Sequence, residues 1–427
     1  MTPTNAELIA RRNKVLGPAY RLFYDEPLHI VRGEDVWLFD ADGRKYLDTY
    51  NNVPHVGHSH PDVVAAVTAQ IAKVNIHTRY LHETILDYAE RLTATFEPAL
   101  DTVHFGCSGT EANEMALRLA RTHTGNKGVI VTECAYHGHS QSIYEISTRD
   151  VPVSALPDYV VTIPAPDTLR GRYRGANATD QYVRHVEEAV ATLTARGHGV
   201  AALIIDTIQS SGGTVIAPPG FYAKAAAVVR AAGGLFIADE VQAGFARIGT
   251  KFWVYQDHDV VPDFVTMGKP MGNGMPLAAC VTQRAYVETF AKANKYFNTF
   301  AGIPVTTAAG LAMLEVIERD GLQANALAVG QYMTGKLQAL AERHAVIGDI
   351  RGSGFFIGLD LVTDRATMAP ATALTARLVN GMKERGVLSG AIGPAMNILK
   401  IRPPMTFTRA HADLMLGVIN ETLTAVS

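Results

Sequence analysis

The run Gly234-Leu-Phe-Ile-Ala-Asp-Glu-Val-Gln-Ala-Gly-Phe-Ala-Arg247 and the later run Val265-Thr-Met-Gly-Lys-Pro-Met-Gly-Asn-Gly-Met-Pro276 decide the fold. Each opens as a short apolar strand and ends in one charged side chain, Asp239 in the first and Lys269 thirty positions on. A strand that is apolar on successive residues belongs to a sheet covered on both faces. Working outward, Thr102–Gly106 predicts another strand, Cys107-Ser-Gly-Thr110 a turn, and Glu111–Arg121 a helix with Ala112, Met115 and Leu119 at helical spacing. Strands follow at Lys127–Val131 and Val200–Asp206, then a helix at Phe221–Ala232 and strands at Leu235–Ala238 and Phe264–Met267. This alternation predicts an α/β fold, a mostly parallel central sheet flanked by helices, with ligands at the C-terminal edge of the strands.

Beyond about Ala308 the pattern changes. Helices at Thr306–Arg319, Asn325–His344 and Thr372–Arg385 are interleaved with strands at Gly354–Val362 and Asn397–Arg402. The expected organisation is an N-terminal segment (1–50), a large ligand-binding domain (51–305) and a smaller C-terminal α+β domain (306–427). Two N-terminal strands, Ile30–Phe39 and Lys45–Tyr50, are joined at Ala41-Asp-Gly43 and are expected to pack with the small domain.

Composition excludes several classes. With 427 residues, 48% hydrophobic and 19% charged, the chain is an ordinary globular protein too long for one simple core. A formal net charge of −3 gives no electrostatic basis for binding nucleic acid or an anionic membrane. Cys107, Cys134 and Cys280 are too few and too scattered for a disulfide framework or a metal site. The polar N-terminus and the lack of a long apolar run make a cytoplasmic location the expectation.

A lysine and an aspartate, each at a strand's C-terminal tip, meet the needs of pyridoxal phosphate. One supplies an amine for covalent attachment and the other a carboxylate for the ring nitrogen. Alongside them stand Gly43-Arg-Lys-Tyr-Leu-Asp48, Gly57-His-Ser-His-Pro61, Ser108-Gly-Thr-Glu-Ala-Asn113, Tyr136-His-Gly138, Asp239-Glu-Val-Gln242 and Gly268-Lys269. With these motifs the chain resembles the class III aminotransferases, of fold type I, over nearly its whole length. The resemblance implies that Lys269 bonds the cofactor and moves the substrate proton, and that Asp239 pairs with the ring nitrogen. Ser108, Gly109 and Thr110 would hold the cofactor phosphate at a helix start. Tyr136 and Val241 would cover the ring faces, and Gln242 would meet the ring hydroxyl. Thr299 would reach the cofactor phosphate of a neighbouring subunit, which implies a homodimer, with pairing into a tetramer left open.

The departures from the family pattern bear on the reaction. Relatives carry an arginine before the double proline, where it grips a carboxylate, and a glutamate that pairs with it when no substrate is bound. Here Leu399-Lys-Ile-Arg-Pro-Pro404 puts Lys400 at the first position, and Asp206-Thr-Ile-Gln-Ser-Ser-Gly-Gly213 puts Ser211 at the second. Arg79, in His77-Thr-Arg-Tyr-Leu-His-Glu83, stands in a segment that lines the substrate entrance in the family. Arg402 lies two residues beyond Lys400 on the same strand, Asn51 replaces an apolar substrate contact, and Tyr24 would reach the mouth. These cationic and amide groups suit a phosphate as well as a carboxylate. The segments around Tyr50–His58, Arg79 and Leu399–Met405 resemble the branch that eliminates phosphate from O-phosphoethanolamine and related phosphorylated amines. That branch implies a lyase. The competing expectations are an ω-aminotransferase, sharing every cofactor residue, and a cofactor-binding sensor without turnover.

Overall fold

The computed structural model describes residues 3–426. Its centre is a seven-stranded sheet with spatial order Thr102–Gly106, Ala278–Thr282, Phe264–Met267, Leu235–Asp239, Val200–Asp206, Gly128–Thr132 and Val160–Ile163. All neighbours pair in parallel except at Ala278–Thr282, which runs antiparallel to both of its partners. The α/β expectation holds, with that reversed strand and Val160–Ile163 added.

Alternate residues of these strands enter two separate cores. Val129, Val131, Ala202, Ile204, Ile237 and Phe264 pack against the Gly109–Thr124 helix through Met115, Ala116 and Leu119. On the opposite face Ile130, Leu203, Ile205, Phe236 and Val265 meet the Ala178–Ala195 and Phe221–Ala231 helices through Val186, Leu193, Ala225 and Val229. Each fully buried aliphatic or aromatic side chain contributes about 1.5–3 kcal/mol of transfer free energy. The sheet is therefore the rigid base on which the strand tips are placed.

A five-stranded antiparallel group contains Ile347–Ser353, Phe356–Asp364, Gly390–Ile392 and Ile398–Ile401, with Ala369–Pro370 at its side. A separate four-stranded sheet joins the two ends of the chain, because Lys45–Asp48 pairs in parallel with Val387–Leu388. The segment read as one strand from Ile30 to Phe39 is instead a hairpin of Ile30–Glu34 and Trp37–Asp40. Asp35 makes the turn with φ of 51°, a left-handed conformation that aspartate tolerates better than most residues. Among the described residues no helix is long and apolar enough to cross a membrane, and no metal-binding cluster is found.

Candidate active site

Strand register brings the site together. Asp206 stands opposite Asp239, and Asp239 opposite Thr266, on three adjacent parallel strands, so three polar side chains form a row at the sheet's C-terminal edge. Lys269 follows Thr266 by three residues and closes the row. Around it lies a cavity of about 270 Å³ lined by Ser108, Gly109, Thr110, Tyr136, His137, Gly138, His139, Asp206, Asp239, Val241, Gln242 and Lys269. Desolvation lowers the pKa of the Lys269 ammonium, as do the charges of Arg402 and Arg149, while Asp239 and Asp206 oppose the shift. An amine shifted this way is more readily the neutral base and nucleophile that the chemistry needs.

Asp239 is held from several sides. One carboxylate oxygen accepts from Asn113 Nδ2 at 2.9 Å and from His137 Nδ1 at 2.7 Å, and the other accepts the backbone N–H of Val241 at 3.0 Å. Asn113 is itself fixed by Thr266 Oγ1, which donates to its amide oxygen at 2.6 Å. Neither Asn113 nor His137 was assigned a role from sequence, although both fall inside the motifs quoted above. Asp206 is also buried, and desolvation and the charge of Asp239 raise its pKa.

Part of the cavity wall is a helix start. Ser108 caps the Gly109–Thr124 helix, its side chain accepting from the Glu111 N–H. A Cβ on Gly109 would lie 2.6 Å from a Val241 methyl, so only glycine lets this turn approach the residue expected to cover the ring. Unpaired N–H groups at a helix start favour an anion. Cradle, fixed carboxylate and buried amine together fit pyridoxal phosphate. Val241 and Tyr136 line the cavity as expected. Gln242 does too, but both ends of its amide are engaged, Nε2 donating to Ser210 Oγ at 2.7 Å and Oε1 accepting from Arg402 at 2.8 Å.

Two of the four substrate-binding candidates lie beside this cavity without lining it, Arg402 bonding the lining residue Gln242. Lys400 stands on the last strand, Ile398–Ile401, and Arg402 follows that strand directly. Lys400 is buried, its Nζ 4.0 Å from the centre of the Tyr50 ring, and it has no carboxylate partner among the described residues. Desolvation and the like charges of Arg402, Lys269 and Arg247 hold its pKa well below the lysine range. Tyr50 can occupy this place because Gly390 has no side chain, since a Cβ there would sit 2.5 Å from the ring. Arg402 is less free than the sequence suggested. Its guanidinium stacks on Phe356 at 3.7 Å and donates to Gln242 and to Thr214, and burial lowers its pKa to about 9.

The other two candidates lie elsewhere. Asn51 turns back on its own loop, its side-chain nitrogen donating to buried Asp48 at 3.0 Å beside His58 at 2.7 Å. Arg79 is exposed and stacks on Phe297 at 3.7 Å, away from its own chain's Lys269 cavity. Thr299 is also exposed, in the same region as Phe297, Phe300 and the 98% exposed Leu81. Tyr24 donates to the carbonyl of Ser389 at 3.0 Å.

The family model for Aminotransferase class-III matches residues 23–423. The chain belongs to that family. This class III chain is 42% identical to an alanine–glyoxylate aminotransferase 2-like protein of Drosophila melanogaster, over 99% of its own length and 88% of the relative's. It is 39% identical to ethanolamine-phosphate phospho-lyase homolog 1 of Caenorhabditis elegans, over 99% and 94% of the two chains. A solved phospholyase from Arthrobacter, in complex with phosphoethanolamine, superposes with a TM-score of 0.94 at 45% identity, covering 98% of this chain and 99% of that one. The class III chain is thus a fold type I enzyme whose cofactor is pyridoxal phosphate.

Proposed function

We propose that this class III enzyme is a phospholyase. It eliminates phosphate from O-phosphoethanolamine or a related phosphorylated amine and, with one water, yields acetaldehyde, ammonia and phosphate. One observation carries this reading. Lys400 is a buried amine among cations, with Ser211 at the position where relatives carry the gating glutamate. Asp48 is the one carboxylate whose charge opposes the shift of Lys400, so the place beside this amine suits an anion, and a phosphate dianion supplies two charges where a carboxylate supplies one. The likeness to the Arthrobacter phospholyase and to the nematode relative supports it.

The chain's own groups then have distinct tasks. Ser108, Gly109 and Thr110 hold the cofactor phosphate, Tyr136 and Val241 enclose the ring, and Asp239 serves the ring nitrogen. Bound pyridoxal phosphate supplies the electron sink that acidifies the C–H bond beside the substrate nitrogen. Lys269 Nζ takes that proton. The adjacent C–O bond breaks with its electron pair leaving on phosphate, and a C=C bond forms between the two carbons. Lys400 steadies the departing charge. Arg402 braces Gln242 and keeps the local potential positive. The released enamine hydrolyses to the aldehyde and ammonia.

Arg79 and Thr299 enter this scheme across a homodimer, each completing the partner subunit's site. Their exposure, next to Leu81, Phe297 and Phe300, supports that arrangement.

The second reading is an aminotransferase, favoured by the Drosophila relative. One assay separates the two. Purified enzyme is incubated with O-phosphoethanolamine and no keto acid, and phosphate and ammonia are measured. Equal release over many turnovers supports the lyase. Dependence on an added keto acid, or no phosphate at all, rejects it.

A further inference from the structure

Arg149 has no task in the scheme above, yet it reaches the site. Its guanidinium carbon lies 4.1 Å from the centre of the Tyr136 ring, and Tyr136 lines the Lys269 cavity. Its charge contributes to the lowered pKa of Lys269 and opposes the desolvation that raises the Tyr50 phenol. Tyr50 is the ring on which Lys400 rests. Arg149 and Lys400 therefore approach one space from different parts of the fold.

The backbone of Arg149 is fixed while its head is not. Its N–H donates to the Ala135 carbonyl at 2.9 Å. Next to it, Thr148 Oγ1 accepts from Ala135 N–H at 2.9 Å and donates to Thr132 O at 2.7 Å. These bonds lace the residue to the loop that carries Tyr136. The side chain remains 46% exposed, and its ion-pair partner is its neighbour Asp150, itself 34% exposed. Nε donates to one Asp150 oxygen at 2.8 Å and Nη2 to the other at 2.7 Å. An ion pair between half-exposed residues contributes little net stability. A phosphate dianion offers the same two-oxygen edge with more charge.

We propose that Arg149 is a specificity-determining residue that exchanges Asp150 for the substrate's phosphate group and grips it in two-point fashion from the side opposite Lys400. This rests on the phospholyase reading. Stacking on Tyr136 alone would be a platform role, indifferent to whether Asp150 is charged.

The test uses inorganic phosphate as a competitive inhibitor and O-phosphoethanolamine as substrate, on the holoenzyme and its variants. Visible absorbance of the bound cofactor confirms that each variant is folded and loaded. Arg149→Gln is expected to raise both the phosphate Ki and the substrate KM by roughly 10- to 100-fold, the loss expected for charge-assisted hydrogen bonds. Arg149→Lys should recover part of that loss. Asp150→Asn should lower the phosphate Ki severalfold, because the guanidinium loses its competitor. Unchanged Ki and KM in Arg149→Gln, or an unmoved Ki in Asp150→Asn, overturns the proposal while wild-type phosphate release leaves the phospholyase reading standing. A wild-type enzyme that releases no phosphate removes that reading and the proposal with it.

Discussion

Asp206 and Asp239 face each other in register on adjacent parallel strands, two buried carboxylates serving one cavity. Their surroundings separate them. Asp239 accepts hydrogen bonds from Asn113, His137 and the Val241 N–H, whereas Asp206 has its pKa raised by desolvation and by Asp239 itself. Groups of one type that share a site take different roles when their environments differ in this way.

The first prediction follows from that division. Asp239→Asn should cut turnover by about 100-fold or more, the scale for removing an aligned electrostatic partner from a water-poor site. Asp206→Asn should cost less, since its amide oxygen can keep the Ser210 bonds while only the Ile208 N–H, which meets the other oxygen, loses its acceptor. Steady-state phosphate release from both variants checks this, and equal losses would reassign the pair.

Lys400 gives an opposed effect on stability and function. Among Arg402, Lys269 and Arg247 a charge on its amine is disfavoured in the free enzyme, and burying the amine there is costly. Lys400→Met should therefore stabilise the folded protein by about 1 kcal/mol, after loss of the Tyr50 contact is counted. The KM for a phosphorylated amine should rise tenfold or more. Because the Lys400 pKa lies well below the lysine range, wild-type binding of the dianion should take up protons, and affinity should fall as pH rises through that pKa. Denaturant unfolding and calorimetry in buffers of different ionisation enthalpy measure the two parts.

Much of this was legible locally. Lys269 and Asp239 terminate apolar runs, so strand, tip and charge are covalent neighbours and one stretch of sequence contains them all. Ser108–Thr110 is legible for the same reason, as a turn leading into a helix. What was hidden depends on relationships between distant segments. The reversed strand Ala278–Thr282 carries no local mark of its direction. The relation of Asp206 to Asp239, and of Arg149 to Tyr136, exists only once strands are in register and loops are laced together. Asn51 is expected on the substrate from the position it shares with a substrate contact in relatives, but its side chain bonds Asp48, three residues earlier, in a turn that competes with any ligand.

Glu240 allows a pH prediction outside the chemistry. It is fully buried, with one oxygen accepting from the Tyr255 N–H at 2.9 Å and the other without a partner. Burial raises its pKa to about 8. Between its unfolded pKa and about 8 the folded state holds a proton that the unfolded state has released, so this residue makes stability fall as pH rises across that window. Glu240→Gln removes the titration. Urea unfolding at pH 6 and pH 8 should show a loss in the wild type that exceeds the variant's by about 1 kcal/mol or more.

The last prediction concerns Arg79 and Thr299. Both are exposed and neither lines its own chain's cavity, while Lys269 does. If each subunit lends Arg79 to its partner, then Lys269→Ala and Arg79→Ala damage complementary halves of a shared site. Each variant alone should be weak or inactive towards O-phosphoethanolamine. A mixed dimer has one site with both lesions and one with neither. Random re-pairing of equal amounts makes about half of all dimers mixed, so roughly a quarter of wild-type activity should return after subunit exchange. A tagged copy of each variant allows the mixed dimer to be isolated and assayed directly. Activity no higher than the sum of the two parents would mean that Arg79 acts in its own chain or not at all, and would remove the shared site from the mechanism.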